Sequence, residues 1–166
     1  MKIDIIKKNI YWLVLSLVIF FLDRFFKIYV INLFETNNIS EIYIAPFLNL
    51  FLIWNKGIAF GLFSFNDQMI YQIITILIII VVLIIFIMIL NSEGVKKYSL
   101  ASILGGSLGN LYDRLYFSAV PDFIDFHFVG FHWFIFNIAD IFITLGILCL
   151  IYDEVFLEKK RDEKNF

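Results

Sequence analysis

The sequence has few of the residues that a water-soluble domain needs on its surface. Only 17% of its 166 residues are charged, while 61% are hydrophobic and 19% are aromatic; a soluble domain has about 25% charged and about 45–50% apolar residues. The single Cys, 2 Pro and 8 Gly exclude a disulfide scaffold and a collagen-like or Pro-rich chain. The net charge of -2 lacks the basic excess that nucleic-acid binding needs. We therefore expect a single membrane domain, spanning residues 1–166.

Four apolar stretches approach the roughly 20 residues that a helix needs to cross a bilayer. The stretch at 69–90 carries no charged residue. The other three, at about 10–31, 98–115 and 134–152, contain ionisable residues. Such residues are costly in lipid, so they usually face a bundle interior or a water-filled cavity. The pattern predicts four transmembrane helices that share a polar site.

The distribution of basic residues predicts the orientation, because cytoplasmic loops carry an excess of Lys and Arg. Nine basic residues lie near the N-terminus, after the second span and at the C-terminus, against four toward the opposite side. Both termini are therefore expected in the cytoplasm. The connections at 32–68 and 115–133 then lie on the outer face.

The region at about 41–65 is too apolar for a solvated loop, and it is interrupted by residues that disfavour a helix. Its Ile, Tyr, Phe and Trp content favours short β-strands. We expect turns at Ala45-Pro46 and around Asn55-Lys56-Gly57. The prediction is a small β-sheet on the outer surface of the membrane.

Five acidic residues lie near the predicted membrane: Asp23, Asp113, Asp122, Asp125 and Asp140. Asp122 and Asp125 lie in VPDFIDF, in the last outer connection, and Asp140 lies in FNIAD at the start of the last span. Two carboxylates in a low-dielectric site do not both ionise easily, so one keeps a proton while the other acts as a base. An aspartyl protease needs such a pair. The alternatives are solvated loop acids, or Asn137 and Asp140 as caps of the last helix.

The third span carries Gly105, Gly106 and Gly109, whose spacing most often indicates close helix packing. Asn110 and Arg114 lie on the same face, four residues apart. Arg114 either orients an acid or a substrate oxygen, or forms an ion pair with its neighbour Asp113.

In the first span, Asp23 and Lys27 have the i, i+4 spacing of a helical ion pair, and we favour that structural interpretation.

Other chemistries have weaker support. His127 and His132 have no matching acidic or Cys cluster, so a zinc site is not expected. Ser107 has no evident base, and Cys149 lies in an apolar run with no sign of activation. Two further functions remain open from the residues alone: a small transporter or ion-coupled carrier that uses intramembrane Asp and Arg, and a scaffold subunit held by its Gly-rich helix.

Five segments, in this order, resemble the lipoprotein signal peptidases, also called signal peptidase II: LDRFFK at 22–27, NKGIAFGLF at 55–63, GGSLGNLYDRL at 105–115, VPDFIDF at 120–126 and FNIADIFITLG at 136–146. The chain departs from the family at Ile58, where a second Ala is usual, and at Pro121, which stands in a run that is usually Gly-x-Val-Val-Asp.

The resemblance implies a bacterial inner-membrane aspartyl endopeptidase that cuts prolipoproteins before an S-diacylglyceryl cysteine. It implies that Asp122 and Asp140 are the catalytic pair and that no metal or organic cofactor is used. It further implies that the roles of Lys27 and Asp113 are closer to structural than to catalytic. The supporting residues that it implies at the site are Asp23, Asn55, Asn110, Arg114 and Asn137.

Overall fold

A computed structural model describes residues 2–57, 68–128 and 131–158 of the chain. These residues form helices and one antiparallel sheet of four strands in the order β1-β2-β3-β4. The elements are α1 (Lys2–Asn37), β1 (Ile42–Ala45), β2 (Leu48–Asn55), α2 (Gln68–Leu90), α3 (Gly94–Phe117), β3 (Val120–Phe128), β4 (Phe131–Phe136) and α4 (Ile138–Tyr152), which continues into a π-helical segment, Asp153–Glu158.

The helices follow the four apolar stretches, with different ends. The charged residues from Asp23 to Lys27 do not end α1, because their side chains are buried against α3 instead of facing lipid. With 36 residues, α1 is about 54 Å long at 1.5 Å per residue, well beyond the predicted 10–31. The prediction that the last span begins at residue 134 is wrong, because Ile135 and Phe136 pair with β3 and the helix begins at Ile138.

The sheet is larger than predicted. The β1-β2 hairpin lies in the expected region and turns at Pro46 and Phe47, and residues 58–65 of that region lie outside the described residues. No strand was predicted in the connection at 115–133, which was expected to form a loop at 117–132; instead it contains β3, which pairs with β2, and the first half of β4, which pairs with β3. The aromatic content of β4, FHWFIF, was a usable β signal.

Helix α3 lies at the centre of the bundle and contacts α1, α2 and α4. A β-carbon on Gly106 would lie 2.6 Å from the backbone oxygen of Ala139 in α4, and one on Gly105 would lie 2.6 Å from that of Ser16 in α1. The glycines therefore permit the close approach of α3 to both helices, which confirms the packing interpretation. An apolar cluster that includes Trp12, Ile89 and Leu104 joins α1, α2 and α3.

Of the described helices, α2 alone is both long and apolar enough by itself to cross a membrane. Only 22% of its apolar window is buried within the protein, so most of its surface is available to lipid. Helices α1 and α3 carry ionisable residues, and α4 has 15 residues before its π-helical extension.

Candidate active site

Asp122 and Asp140 line the same cavity, of about 410 Å³, between the sheet and helices α2, α3 and α4. Its apolar walls include Ile78, Val82 and Ile143. Four of the predicted supporting residues also line it, and these are Asn55, Asn110, Arg114 and Asn137. Six of the seven predicted site residues are thus brought together from four separate elements or their ends.

Asp122 is held by two amide side chains. It lies near the start of β3, where Ile53 is its register partner and Asn55 pairs with Val120. Asn55 Nδ2 donates to Asp122 Oδ2 at 2.8 Å, and Asn137 Nδ2 donates to Asp122 Oδ1 at 2.6 Å. Burial, followed by the negative charge of Asp140, raises the pKa of Asp122 to about 7. This carboxyl is therefore mostly protonated below about pH 7.

Asp140 is held at the N-terminus of α4. Asn137 is the N-cap, and its Oδ1 accepts from the backbone N–H of Asp140 at 3.1 Å, while Asp140 Oδ2 accepts from the backbone N–H of Asn137 at 3.1 Å. Asn110 Nδ2 donates to Asp140 Oδ1 at 2.9 Å. Both oxygens thus accept a hydrogen bond beside a helix N-terminus, which stabilises the ionised carboxylate. The capping interpretation and the site interpretation both apply to this residue.

Asp23 is placed differently from the other predicted site residues, because it is fully buried behind the cavity. Its Oδ1 accepts from the backbone N–H of Ala139 at 3.0 Å. This bond satisfies an N–H of the first turn of α4 that has no partner within the helix. Gly109 allows the contact, since a β-carbon there would lie 2.5 Å from Asp23 Oδ2. Asp23 therefore acts on the site by fixing the start of α4.

A buried charge cluster, formed by Asp23, Arg24, Lys27 and Asp113, joins α1 to α3. Lys27 Nζ lies 2.9 Å from Asp23 Oδ2, which confirms the i, i+4 pair, and 2.7 Å from Asp113 Oδ2. Arg24 binds both oxygens of Asp113 and also donates to Asp23 Oδ2 at 3.0 Å. Two acids and two bases balance each other, which offsets part of the cost of burying charge.

Sequence reasoning missed that Arg24 is part of this cluster. The signal that could have revealed it is the position of Arg24 beside Asp23 in an apolar span, where a charged residue needs a buried partner.

Arg114 does not form the ion pair with Asp113 that its sequence position suggested, because Asp113 faces Arg24 and Lys27. Its Nη2 donates to the backbone oxygen of Gly57, and its guanidinium lies 5.7 Å from the centre of the Tyr71 ring. The guanidinium is buried, and within the described parts of the chain its Nη1 has no hydrogen-bond partner. A donor is therefore held at the wall of the cavity.

Four other residues that were considered from the sequence have no part in holding the two carboxylates. Asp125 is fully buried, 3.3 Å from His127 Nδ1. Ser107 lines the cavity, and Cys149 is exposed on α4.

A second apolar groove, of about 420 Å³, also has Asp140 in its wall. Phe126, Phe134 and Phe136 of the sheet and Ile141 and Leu145 of α4 line it. Asp140 therefore borders two largely apolar spaces.

Comparisons with known proteins agree on one family. The sequence model described as signal peptidase (SPase) II matches residues 15–156. The chain is 56% identical to a lipoprotein signal peptidase of Pelagibacter ubique, over 95% of this chain and 96% of the relative. It is 40% identical to one of Burkholderia thailandensis, over 87% of each chain. A solved structure described as a bacterial membrane enzyme, determined by the in meso method at 1.9 Å resolution, matches with a TM-score of 0.66 and 29% identity, over 88% of this chain and 93% of that one.

Proposed function

The chain belongs to the signal peptidase II family and removes signal peptides from prolipoproteins, and we propose that it does so as an aspartic endopeptidase with Asp122 and Asp140 as its catalytic pair. The observation that carries this proposal is the shared cavity, in which both carboxylates are exposed to the same space and each is held by two hydrogen bonds. Family membership also favours a protease over the carrier and the scaffold that the residues alone left open.

The two carboxylates have different environments, which supports different roles. Asp140 accepts two hydrogen bonds at a helix N-terminus and is the ionised base. Asp122, with its pKa raised to about 7, is the acid and is mostly protonated below that pH. A pair with one shared proton is the arrangement that aspartic proteases use.

The reaction follows from these roles. Asp140 takes a proton from a water molecule as the water oxygen attacks the scissile carbonyl carbon, and Asp122 gives its proton to the carbonyl oxygen. When the tetrahedral intermediate collapses, the C–N bond breaks, Asp140 protonates the leaving nitrogen and Asp122 recovers its proton. The products are a signal peptide with a new carboxyl group and a lipoprotein with a free amino group.

Supporting roles follow from the contacts. Asn55 and Asn137 orient Asp122, Asn110 orients Asp140, and Asp23 holds the start of α4. The unpartnered Nη1 of Arg114 is suited to bind a backbone oxygen of the substrate. The two apolar spaces beside Asp140 suit a substrate that carries both a signal peptide and a lipid at its cleavage point.

We further propose that all four helices cross the bacterial inner membrane, with the sheet and the site on the outer face and both termini in the cytoplasm. The excess of basic residues on the side of the termini supports this orientation. Labelling intact cells with a membrane-impermeant maleimide tests it in a Cys149→Ser background. Ser40→Cys, beside the sheet, should react, and Glu93→Cys, between α2 and α3, should react only after lysis; the reverse pattern contradicts the orientation.

Cleavage of a synthetic peptide with an S-diacylglyceryl cysteine by the purified protein tests the catalytic pair. Wild type is compared with Asp122→Asn and Asp140→Asn, and the substitutions are expected to lower kcat by at least about 100-fold, since each removes an acid–base group. Thermal unfolding in detergent reports whether each variant is folded. A folded variant that cuts at the wild-type rate removes that residue from the mechanism.

A further inference from the structure

Lys27 connects the buried charge cluster to the candidate site. Its side chain is fully buried, and its ammonium group has three N–H donors, each with a partner. The partners are Asp23 Oδ2 at 2.9 Å, Asp113 Oδ2 at 2.7 Å and Asn110 Oδ1 at 2.7 Å. The two carboxylates hold the ammonium in place, and its third donor therefore has a set direction.

The contact with Lys27 determines which way the Asn110 amide faces. An ammonium donates and never accepts, so the amide oxygen of Asn110 must face Lys27. The NH₂ group at the other end of the amide then faces Asp140, and its Nδ2 donates to Asp140 Oδ1 at 2.9 Å. With the opposite amide orientation, two donors would meet at Lys27 and two acceptors would meet at Asp140.

We propose that Lys27 is a positioning residue for proteolysis, which acts through Asn110 to hold the ionised carboxylate of Asp140 in its reactive orientation. This inference rests on the proposed function, in which Asp140 is the base. It assigns Lys27 a part in the reaction in addition to its ion pairs with the two acids.

The charge of Lys27 adds to its effect as a donor. Among the described residues, the charged side chains around Asp140 and its network are Asp122 on β3, Asp23, Arg24 and Lys27 on α1, and Asp113 and Arg114 on α3. Helix α2 contributes apolar side chains to the same cavity. Because Lys27 is joined to Asp140 through a single amide, its positive charge stabilises the anion across a short, poorly screened distance. Loss of this charge should move the acid limb of the pH–rate profile to higher pH.

Removing Lys27 alone leaves two buried acids with one base, so the test uses a neutral pair of substitutions. The first arm is Lys27→Met with Asp113→Asn, which retains one acid and one base in the cluster. The second arm is Asn110→Leu, and the third combines both. The full-length proteins are assayed with the S-diacylglyceryl peptide, and folding is followed by thermal unfolding in detergent.

Action through Asn110 predicts that the arms are not additive. The first arm should lower kcat at its optimal pH by about tenfold or more with KM nearly unchanged, because the base is misplaced while substrate contacts remain. The kcat of the combined variant should then lie within about twofold of the kcat of Asn110→Leu. Wild-type kcat in the folded first arm, or full multiplication of the two losses, overturns the proposal.

Lys27→Gln with Asp113→Asn is the rescue variant, because its amide keeps an N–H donor for Asn110. It should recover part of the kcat that the Met version loses, and equal losses with Gln and Met contradict the proposal. If the Met version does not fold, the Gln version takes its place in the additivity test. The shift of the acid limb is measured by comparing the pH–rate profiles of wild type and of the double variant Lys27→Met with Asp113→Asn, or of the Gln version if the Met version does not fold.

Lys96→Met is the control for loss of a lysine. Lys96 forms a solvent-exposed pair with Glu154, so kcat, KM and the pH profile should stay at their wild-type values. The Asp140→Asn variant separates the two levels of inference. If it is active, the proposed catalytic pair fails; if it is inactive while the Lys27 arms behave as wild type, only the role of Lys27 fails.

Discussion

The side chain of Asn137 donates from Nδ2 to Asp122 Oδ1 at 2.6 Å, and through the same amide it caps the helix that carries Asp140. One residue therefore orients the acid on β3 and fixes the start of α4. Because Asn137 is 1% exposed, water does not replace either bond easily. Its two functions can be separated by substitution.

Asn137→Ser should keep the cap but lose the bond to Asp122, since a serine hydroxyl accepts from the helix N–H groups but does not reach the carboxylate in the same way. Asn137→Ala should lose both and unfold with about 1 kcal/mol less free energy than the serine variant. Both should lower kcat by about tenfold or more. Denaturant unfolding in detergent and peptide cleavage measure the two effects, and a serine variant with wild-type kcat would refute the role of the Asp122 contact.

The activity should decrease as the pH rises above about 7. The pKa of Asp122 is raised to about 7 by burial and by the charge of Asp140, so at higher pH the pair loses its remaining proton and the carbonyl oxygen loses its acid. Initial rates across the range from about pH 5 to pH 9 give the profile. A rate that stays constant to the alkaline end would show that Asp122 is not the acid.

Folding stability should also depend on the ionisation of Asp122. Its pKa is about 7 in the folded protein against an ordinary value of 3.8, so the folded state holds the proton over a range in which the unfolded state has lost it. The stabilisation is complete below about pH 4 and is lost as the pH rises through about 7. Between about pH 5 and pH 8, wild type should therefore lose on the order of 2–3 kcal/mol relative to Asp122→Asn. Equal pH dependence in the two proteins would contradict this assignment.

Asp23→Asn should destabilise the protein strongly. It leaves Arg24 and Lys27 buried with one acid in place of two, and breaking a buried ion pair costs about 3–5 kcal/mol. The matched control is Glu154→Gln, which breaks the exposed pair with Lys96 and should cost less than about 1 kcal/mol. Comparable unfolding free energies for the two variants would show that the buried cluster contributes little to stability.

Two glycine substitutions should differ in their effect on catalysis. In Gly106→Ala the new methyl group meets the backbone oxygen of Ala139, so α4 and Asp140 must move. In Gly105→Ala it meets the backbone oxygen of Ser16 in α1, in a stretch of that helix that carries no site residue. Each should cost about 1–3 kcal/mol, but Gly106→Ala should also lower kcat in the fraction that remains folded. Equal kcat values for the two folded variants would contradict this distinction.

Much of the site was predictable because its residues lie in short, ordered motifs. Asp122, Asp140, Asn55, Asn110, Arg114 and Asn137 were all named from the sequence, and the structure places them around one cavity. The roles that the motifs imply for them remain predictions. The position of Asp23 behind the cavity was not predictable, because its contact with Ala139 joins residues 116 positions apart.

The strands at 120–136 show why local patterns were insufficient for the outer region. Pro121 and two acids made VPDFIDF look like a loop, yet β3 lies between β2 and β4. Pairing with these neighbours supplies backbone hydrogen bonds that compensate for weak local preference. Strand pairing of this kind depends on distant segments, which periodicity within one segment does not report.

The sequence by itself determined the membrane character, the approximate positions of the helices and the residues that could do chemistry, because hydropathy and side-chain type are local properties. The tertiary structure alone decided which acids share a cavity, which basic side chains form ion pairs with Asp113, and which way the Asn110 amide faces. Those outcomes depend on the β2-β3 register and on the close approach of α3 to α1 and α4. Both are set by packing between residues far apart in the chain.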